Sequence, residues 1–106
     1  METDKNNYTV KLQINPVSKR RLDSLDFGGD LGILNDVERL LTSNENNPGE
    51  PDYPLALLYM GMFLALDENG KLPCNENSEI LQNFIDENFH YLFGRLERAC
   101  RLLILN

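Results

Sequence analysis

An unbroken apolar run over 55–66, LALLYMGMFLAL, constrains the fold of this chain more than any other feature. Its twelve residues are too few to cross a bilayer, since a membrane-spanning helix needs about 20 apolar residues. Asp52 is a suitable N-cap, Pro54 suits a first helical turn, and Gly70 ends the pattern. We therefore predict a helix over 53–67 that lies at the centre of a helical core.

Helical spacing and suitable N-caps predict three further helices. Ser18 is a suitable N-cap for a short helix over 18–26, and Asp30 for a second helix over 31–43. A longer helix over 78–104 carries apolar residues at helical spacing. Its predicted buried stripe consists of Leu81, Ile85, Phe89, Leu92, Leu96, Ala99 and Leu103.

Two glycines lie inside these predicted helices. Gly61 is in the middle of the apolar helix, where glycine lowers helix stability by about 1 kcal/mol relative to alanine. We therefore expect a neighbouring element to pack closely against it. Gly94 lies in the middle of the long C-terminal helix and is a candidate kink or break.

The segment from Tyr8 to Ile14 alternates between apolar and polar residues, which predicts a half-buried strand closed by Pro16. One face consists of Tyr8, Val10, Leu12 and Ile14, and the other face consists of Thr9, Lys11 and Gln13. A lone strand leaves its backbone donors and acceptors unpaired. The strand is therefore expected to pair with a copy of itself in a dimer or with a partner's sheet, unless 102–105 is a second strand.

The predicted organisation is a mainly α fold, with one N-terminal strand followed by four helices in a small bundle. Its length of 106 residues fits one domain. We predict a flexible tail over 1–7 and a single domain over 8–106. That domain comprises a strand-helix-helix unit over 8–43, a linker over 44–52 and a helical hairpin over 53–106.

The charge of the chain is acidic but unevenly distributed. It has 17 Asp and Glu against 10 Lys and Arg, a formal net charge of −7. Residues 1–22 nevertheless carry five positive and two negative charges, so all the acidic excess lies after them. An acidic surface steers a protein toward basic partners. We therefore expect a small acidic interaction protein (an adaptor, inhibitor, immunity-type protein or complex subunit) that binds another protein and forms a homo-oligomer.

Processing signals and cysteines indicate a cytoplasmic protein. The start, METDKNNYTV, is polar and does not resemble a secretory signal, and no segment is long enough for a membrane span. Cys74 and Cys100 lack the CxxC spacing of redox or zinc motifs. We therefore expect two reduced thiols and no membrane association.

The order of elements over 8–43 resembles the ribbon-helix-helix family of DNA-binding dimers. The segments that carry the resemblance are YTVKLQINP, SKRRLDSL, the glycine pair and DLGILNDVERLL. It implies a dimer whose strands form a two-stranded ribbon with its polar face in the major groove of DNA. The residues expected at DNA are Thr9, Lys11 and Gln13 on the strand and Lys19, Arg20 and Arg21 in the basic segment after it.

The layout of the whole chain also resembles the DndE family of DNA sulfur-modification proteins, through its strand-helix-helix opening and leucine-rich helical second half. DNA contact through residues 8–22 is the prediction that the ribbon-helix-helix resemblance implies, and the positive sum of residues 1–22 supports it. The chain departs from the ribbon-helix-helix pattern in two ways. Asp30 stands where that family has Ser or Thr near a bound phosphate, and the first helix lacks apolar residues at its start. A dimeric DNA-binding regulator or an accessory subunit of DNA modification is therefore the alternative function.

Arg95, Arg98 and Arg101 form a second basic group, at steps of three along the predicted C-terminal helix. Such steps drift around the helix by about 60° each, so the three side chains flank one side rather than align. They are candidates for contact with a partner or an anion. The other interpretation is a solvated helix face with local pairing, in which Glu97 pairs with Arg101 four residues later and Tyr91 stacks on Arg95.

The sequence predicts no catalytic residues, no metal site and no cofactor. His90 is the one histidine, and together with Glu79, Asn83 and Asp86 it would occupy a single helix face that cannot complete a metal site. Cys100 lies ten residues after His90, about 15 Å along a continuous helix, too far for a nucleophile pair. We therefore expect that the chain is not an enzyme.

Overall fold

The structure is a computed structural model that describes residues 11–42 and 52–105. It is mainly helical, as predicted, and its described part contains five α-helices and one 3₁₀ turn. The predicted tail over 1–7 and the linker residues 44–51 lie outside the described residues. The elements are α1 (Pro16–Asp23), the 3₁₀ turn (Ser24–Phe27), α2 (Leu31–Thr42), α3 (Tyr53–Leu64), α4 (Glu79–Glu87) and α5 (Phe89–Leu105).

The predicted N-terminal strand is not seen in its described half. Residues 8–10 lie outside the described residues, and residues 11–14 adopt no strand. The backbone N–H of Asn15 donates to the Leu64 carbonyl at 2.8 Å, so this segment is tied to the end of α3 rather than to a sheet. Leu12 packs against the core, but Ile14, predicted on the same strand face, is exposed.

The first helix begins two residues earlier than predicted and is capped by a different residue. Asn15, not Ser18, is the N-cap, and its Oδ1 accepts the N–H groups of Val17 and Ser18 at 2.9 and 3.0 Å. Pro16 opens the helix, where the missing N–H of proline costs nothing. Ser18 is instead buried, and the end of the predicted helix becomes the 3₁₀ turn.

The other predicted helix starts are confirmed. Asp30, Asp52 and Ser78 each accept a backbone N–H from the first turn of α2, α3 and α4, respectively. The ends differ slightly, since α2 ends at Thr42 and α3 ends at Leu64 rather than at residue 67. The C-terminal residues 102–105 are helical, so they supply no second strand.

The long helix predicted over 78–104 is two helices, and the break is at Asn88 rather than at Gly94. The Asn88 side-chain Nδ2 donates to the Phe84 carbonyl at 2.9 Å and so caps the end of α4. The Asn88 carbonyl in turn accepts the Leu92 N–H at 2.9 Å in the first turn of α5. Gly94 lies within α5, which continues through it.

The apolar helix α3 lies at the centre of the bundle, as predicted, and contacts each of the other four α-helices. Ala56, Met60, Gly61 and Leu64 form its buried face. A Cβ built on Gly61 would lie 2.5 Å from Ile85 Cγ1, which confirms the expected close approach of a neighbouring helix. The burial of α3 is nevertheless incomplete, because apolar side chains at its N-terminal end remain exposed.

Candidate interaction surface

The structure leaves an open apolar groove between the first turn of α3 and the middle of α5. Its volume is about 440 Å³. We call this surface the aromatic groove. It is lined by Tyr53, Phe93, Leu96, Glu97, Cys100 and Arg101.

Exposed aromatic rings form the rim of the aromatic groove. Tyr53 is 51% exposed and Phe93 is 44% exposed. Phe89, itself 42% exposed, stacks on Phe93 with ring centroids 5.7 Å apart and an interplanar angle of 17°. The ring pair therefore forms a continuous apolar ridge beside a groove whose floor is the buried side chain of Leu96.

Two local features of the sequence position these rings. Asn88 ends α4, so Phe89 starts a new helix and Phe93 follows one turn later on the same face. Asp52 caps α3 by accepting the Leu55 N–H at 3.0 Å, which fixes Tyr53 in the first turn of that helix. The groove thus lies between the beginning of α3 and the middle of α5, with the Phe89 ring stacked on Phe93 at its rim.

The charged residues of the groove are one acid and one base on α5. Glu97 and Arg101 are both exposed and lie one helical turn apart. Neither forms an ion pair with a described residue. Burial, and after it the charge of Glu97, raises the pKa of the Cys100 thiol. Cys100 is therefore a poor nucleophile at neutral pH, because the thiolate is the reactive form.

The three predicted arginines of the C-terminal helix have different surroundings. Arg95 lies against the 3₁₀ turn, with Nη1 3.1 Å from Asp26, and its guanidinium covers the Tyr91 ring at 5.6 Å as predicted. Arg98 Nε donates to the Leu25 carbonyl at 3.2 Å. These two arginines therefore hold α5 against the α1 region, and Arg101 is the member of the group that reaches the aromatic groove.

A tyrosine–carboxylate hydrogen bond strengthens the same contact between α5 and α1. The Tyr91 hydroxyl donates to Asp23 Oδ1 at 2.6 Å. This hydrogen bond lowers the pKa of Asp23, while burial and the same bond raise the pKa of Tyr91. Asp23 also accepts a hydrogen bond from Lys19 at 2.9 Å.

The basic residues predicted to contact DNA are partly neutralised by acidic neighbours. Lys19 pairs with Asp23, and Arg21 makes two hydrogen bonds to Asp30 at 2.7 and 3.1 Å. The Asp30 carboxylate raises the pKa of Arg21, and Arg21 lowers that of Asp30. The remaining candidates are Lys11, Gln13 and Arg20, which are exposed, and Thr9, which lies outside the described residues.

The described residues contain no cluster of side chains suited to hold a metal ion. Within 11–42 and 52–105, no three His, Cys, Asp or Glu side chains are grouped as metal ligands would be. The break at Asn88 separates Asp86 from His90, and Asp86 accepts a hydrogen bond from Gln82 instead. Among the same residues, no helix combines the length and apolar character needed to cross a bilayer.

Sequence reasoning missed most of the aromatic groove. It assigned Phe89 to the buried stripe of one long helix, and it did not select Tyr53 or Phe93. It selected Glu97 only as an intrahelical partner of Arg101, a pair that does not form in the structure. The available signal was the spacing of Phe89, Phe93 and Cys100, which is helical but offset from the stripe formed by Leu92, Leu96 and Ala99. Two apolar stripes on one helix indicate more apolar surface than one core face can bury.

No protein-family model matches the chain, no curated protein matches its sequence, and no solved structure matches it. The ribbon-helix-helix and DndE resemblances therefore stay predictions, and any functional inference depends on the geometry described above.

Proposed function

We propose that this chain is a non-enzymatic interaction protein that docks onto another protein chain through the aromatic groove. The observation that carries the proposal is the stacked Phe89–Phe93 pair, which is exposed beside the groove although apolar rings of this size normally pack in a core. Contiguous exposed apolar surface with a polar rim is typical of interaction sites.

The composition of the groove matches that of a binding hot spot. Aromatic residues supply much of the energy of protein interfaces, because their large rings lose little conformational freedom on binding. Tyr53 and Phe93 line the groove, and Phe89 stacks on Phe93 at its rim. Glu97 and Arg101 place one negative and one positive charge beside these rings. A single Glu–Arg pair flanking an apolar groove favours recognition of a protein surface over a nucleic acid, which would need clustered positive charge.

The experiment compares two exposed phenylalanines with the same substitution. Phe93→Ser removes one ring of the groove, whereas Phe27→Ser removes an aromatic ring that is 89% exposed on the 3₁₀ turn and does not line the groove. Tagged wild type and both variants are incubated with lysate of the native host, and the recovered proteins are quantified by mass spectrometry. Circular dichroism verifies that both variants are folded.

The expected result is a protein that wild type and Phe27→Ser recover equally and that Phe93→Ser loses by about tenfold or more, since hot-spot truncations cost 2 kcal/mol or more. The host lysate also contains the untagged form of this protein, which is one of the proteins that the tagged baits can recover. Equal recovery by all three baits would contradict the proposal, as would loss caused by both substitutions alike.

A further inference from the structure

We infer that the chain that docks in the aromatic groove is a second copy of this protein, packed about a two-fold axis with the two α5 helices antiparallel. The inference rests on the proposed function, because it names the occupant of the same groove. Three features support it: the groove carries opposite charges, its apolar hollow lies at the same level of α5 as those charges, and it is locally neutral in an acidic chain.

The charge pattern of the groove is complementary to itself. Glu97 and Arg101 lie one turn apart on α5, about 6 Å along its axis. Glutamate four residues before a basic residue is the favourable order for a pair within one helix. In the structure this pair does not form, although Lys19, Arg21, Arg39 and Arg95 each lie within 4.0 Å of an aspartate. Both side chains are therefore available to a partner.

A two-fold axis brings these free charges together. When two α5 helices lie antiparallel about an axis at the level of residue 99, Glu97 of each copy faces Arg101 of the other. An isologous interface requires such a self-complementary surface, in which residue i meets residue j and residue j meets residue i. The long arginine side chain tolerates small shifts of register along the helix.

The apolar part of the groove lies at the same level of α5 as the two charges. The hollow over Leu96 and Cys100 is close to residue 99, so the hollows of the two copies face each other across the axis. Phe93 of each copy then lies opposite the last turn of the other α5, which ends at Leu105. Both copies thereby cover apolar surface that each leaves exposed alone.

The net charge of the chain favours this face over others for contact between copies. Two copies with a formal charge of −7 each repel one another. The groove contributes one acid and one base and is therefore neutral. Self-association through the groove keeps most of the acidic surface away from the interface, where it remains accessible to basic proteins.

The test uses charge reversal on the intact chain, measured by sedimentation velocity over a range of concentrations. Glu97→Lys places two positive residues on the groove, and Arg101→Glu places two negative residues there. In a symmetric dimer each variant alone faces its own like charges, so each should dimerise about tenfold or more weakly than wild type. An equimolar mixture of the two variants should form a heterodimer, because opposite charges then face each other again.

Mass spectrometry of the intact complexes identifies the heterodimer by its mass. Arg20→Glu, an exposed charge reversal of the same size on α1, is the matched control for Arg101→Glu and should dimerise as tightly as wild type. The second readout is the rate at which Cys100 reacts with a maleimide, which should fall as wild-type protein is concentrated, while that of Cys74 should not.

Three outcomes would overturn the inference. They are a wild type that is monomeric up to about 1 mM, single variants that dimerise as wild type does, or a mixture that forms no heterodimer. A monomeric wild type whose capture of another protein depends on Phe93 would remove the dimer and keep the proposed function. A dimer that Phe93→Ser leaves intact would place self-association on another face.

Discussion

Gly61 and Gly94 both lie inside helices, but only Gly61 has a close neighbour, as its position in the apolar helix predicted. Gly61 faces Ile85 of α4, whose Cγ1 and Cδ1 would lie 2.5 and 2.9 Å from an added Cβ. Nothing lies within 4 Å of a Cβ added to Gly94. The first glycine therefore permits close helix packing, and the second only lowers the stability of α5.

Alanine at these two positions should have opposite effects. Gly61→Ala should lower the free energy of unfolding by about 1 to 3 kcal/mol, because the clash with buried Ile85 outweighs the better helix propensity of alanine. Gly94→Ala should raise it by about 0.5 to 1 kcal/mol. Urea unfolding monitored by circular dichroism measures both. A stabilising Gly61→Ala would show that α3 and α4 separate at little cost.

Asp30 has two separable roles, as the N-cap of α2 and as the partner of Arg21. Asp30→Asn keeps an oxygen for the Gly32 and Ile33 N–H groups but removes the charge, and should cost about 0.2 to 1 kcal/mol at neutral pH. Asp30→Ala also removes the cap and should cost about 1 kcal/mol more. Equal losses in the two variants would mean that the cap contributes nothing.

The pH dependence of the Asp30 contribution follows from its lowered pKa. Hydrogen bonds from Arg21 are the largest cause of that lowering. A group whose pKa is lowered by folding stabilises the protein above its unfolded value, 3.8 here, and loses that contribution as pH falls through the folded value. The free energy of unfolding should therefore be higher for wild type than for Asp30→Asn by a constant amount above about pH 6, and this difference should disappear below pH 3.8. Urea titrations at several pH values would measure it.

At the scale of elements, α5 is held against the α1 region by polar contacts as well as by the core. Tyr91, Arg95 and Arg98 reach Asp23, Asp26 and the Leu25 carbonyl, respectively. The sequence showed a basic group on this helix but not the aspartates it would meet, because they lie about 70 residues earlier in the chain. Helical spacing determines which side chains share a face, whereas tertiary packing determines what that face contacts.

Removing the Tyr91 hydroxyl tests this contact between elements. Tyr91→Phe should lower the free energy of unfolding by about 1 to 2 kcal/mol, because it removes a 2.6 Å hydrogen bond to a carboxylate. Tyr53→Phe is the matched control and should change it by less than about 0.5 kcal/mol, since Tyr53 is half exposed. Thermal unfolding of both variants gives the comparison. An unchanged Tyr91→Phe would show that water replaces the hydrogen bond without loss.

At the scale of the whole molecule, the acidic net charge and the pairing of basic residues bear on the DNA-binding alternative. The segment over 1–22 has a positive sum in the sequence, but two of its basic residues, Lys19 and Arg21, pair with aspartates from residues 23 and 30. Folding thus places basic side chains of this segment in contact with acidic side chains that follow it in the sequence. The positive potential of this segment is lower than its composition indicates.

We therefore expect no shift of duplex DNA in a gel at about 50 mM salt and tens of micromolar protein, conditions in which phosphate contacts are strong. A shift that weakens steeply with salt and disappears in the Lys11→Ala, Gln13→Ala double variant would instead establish the alternative function. This result requires that the double variant remains folded, which a helical circular dichroism spectrum would show.

The sequence by itself determined the helical class, the starts of α2, α3 and α4, and the central place of α3, because caps, turn residues and apolar period are local signals. It also placed a close approach at Gly61. Only the tertiary structure decided that the long helix breaks at Asn88, that Asn15 rather than Ser18 starts α1, and that Phe89 and Phe93 stay exposed. These depend on distant contacts, such as that of Asn15 with the end of α3, and on how much apolar surface five short helices can bury together.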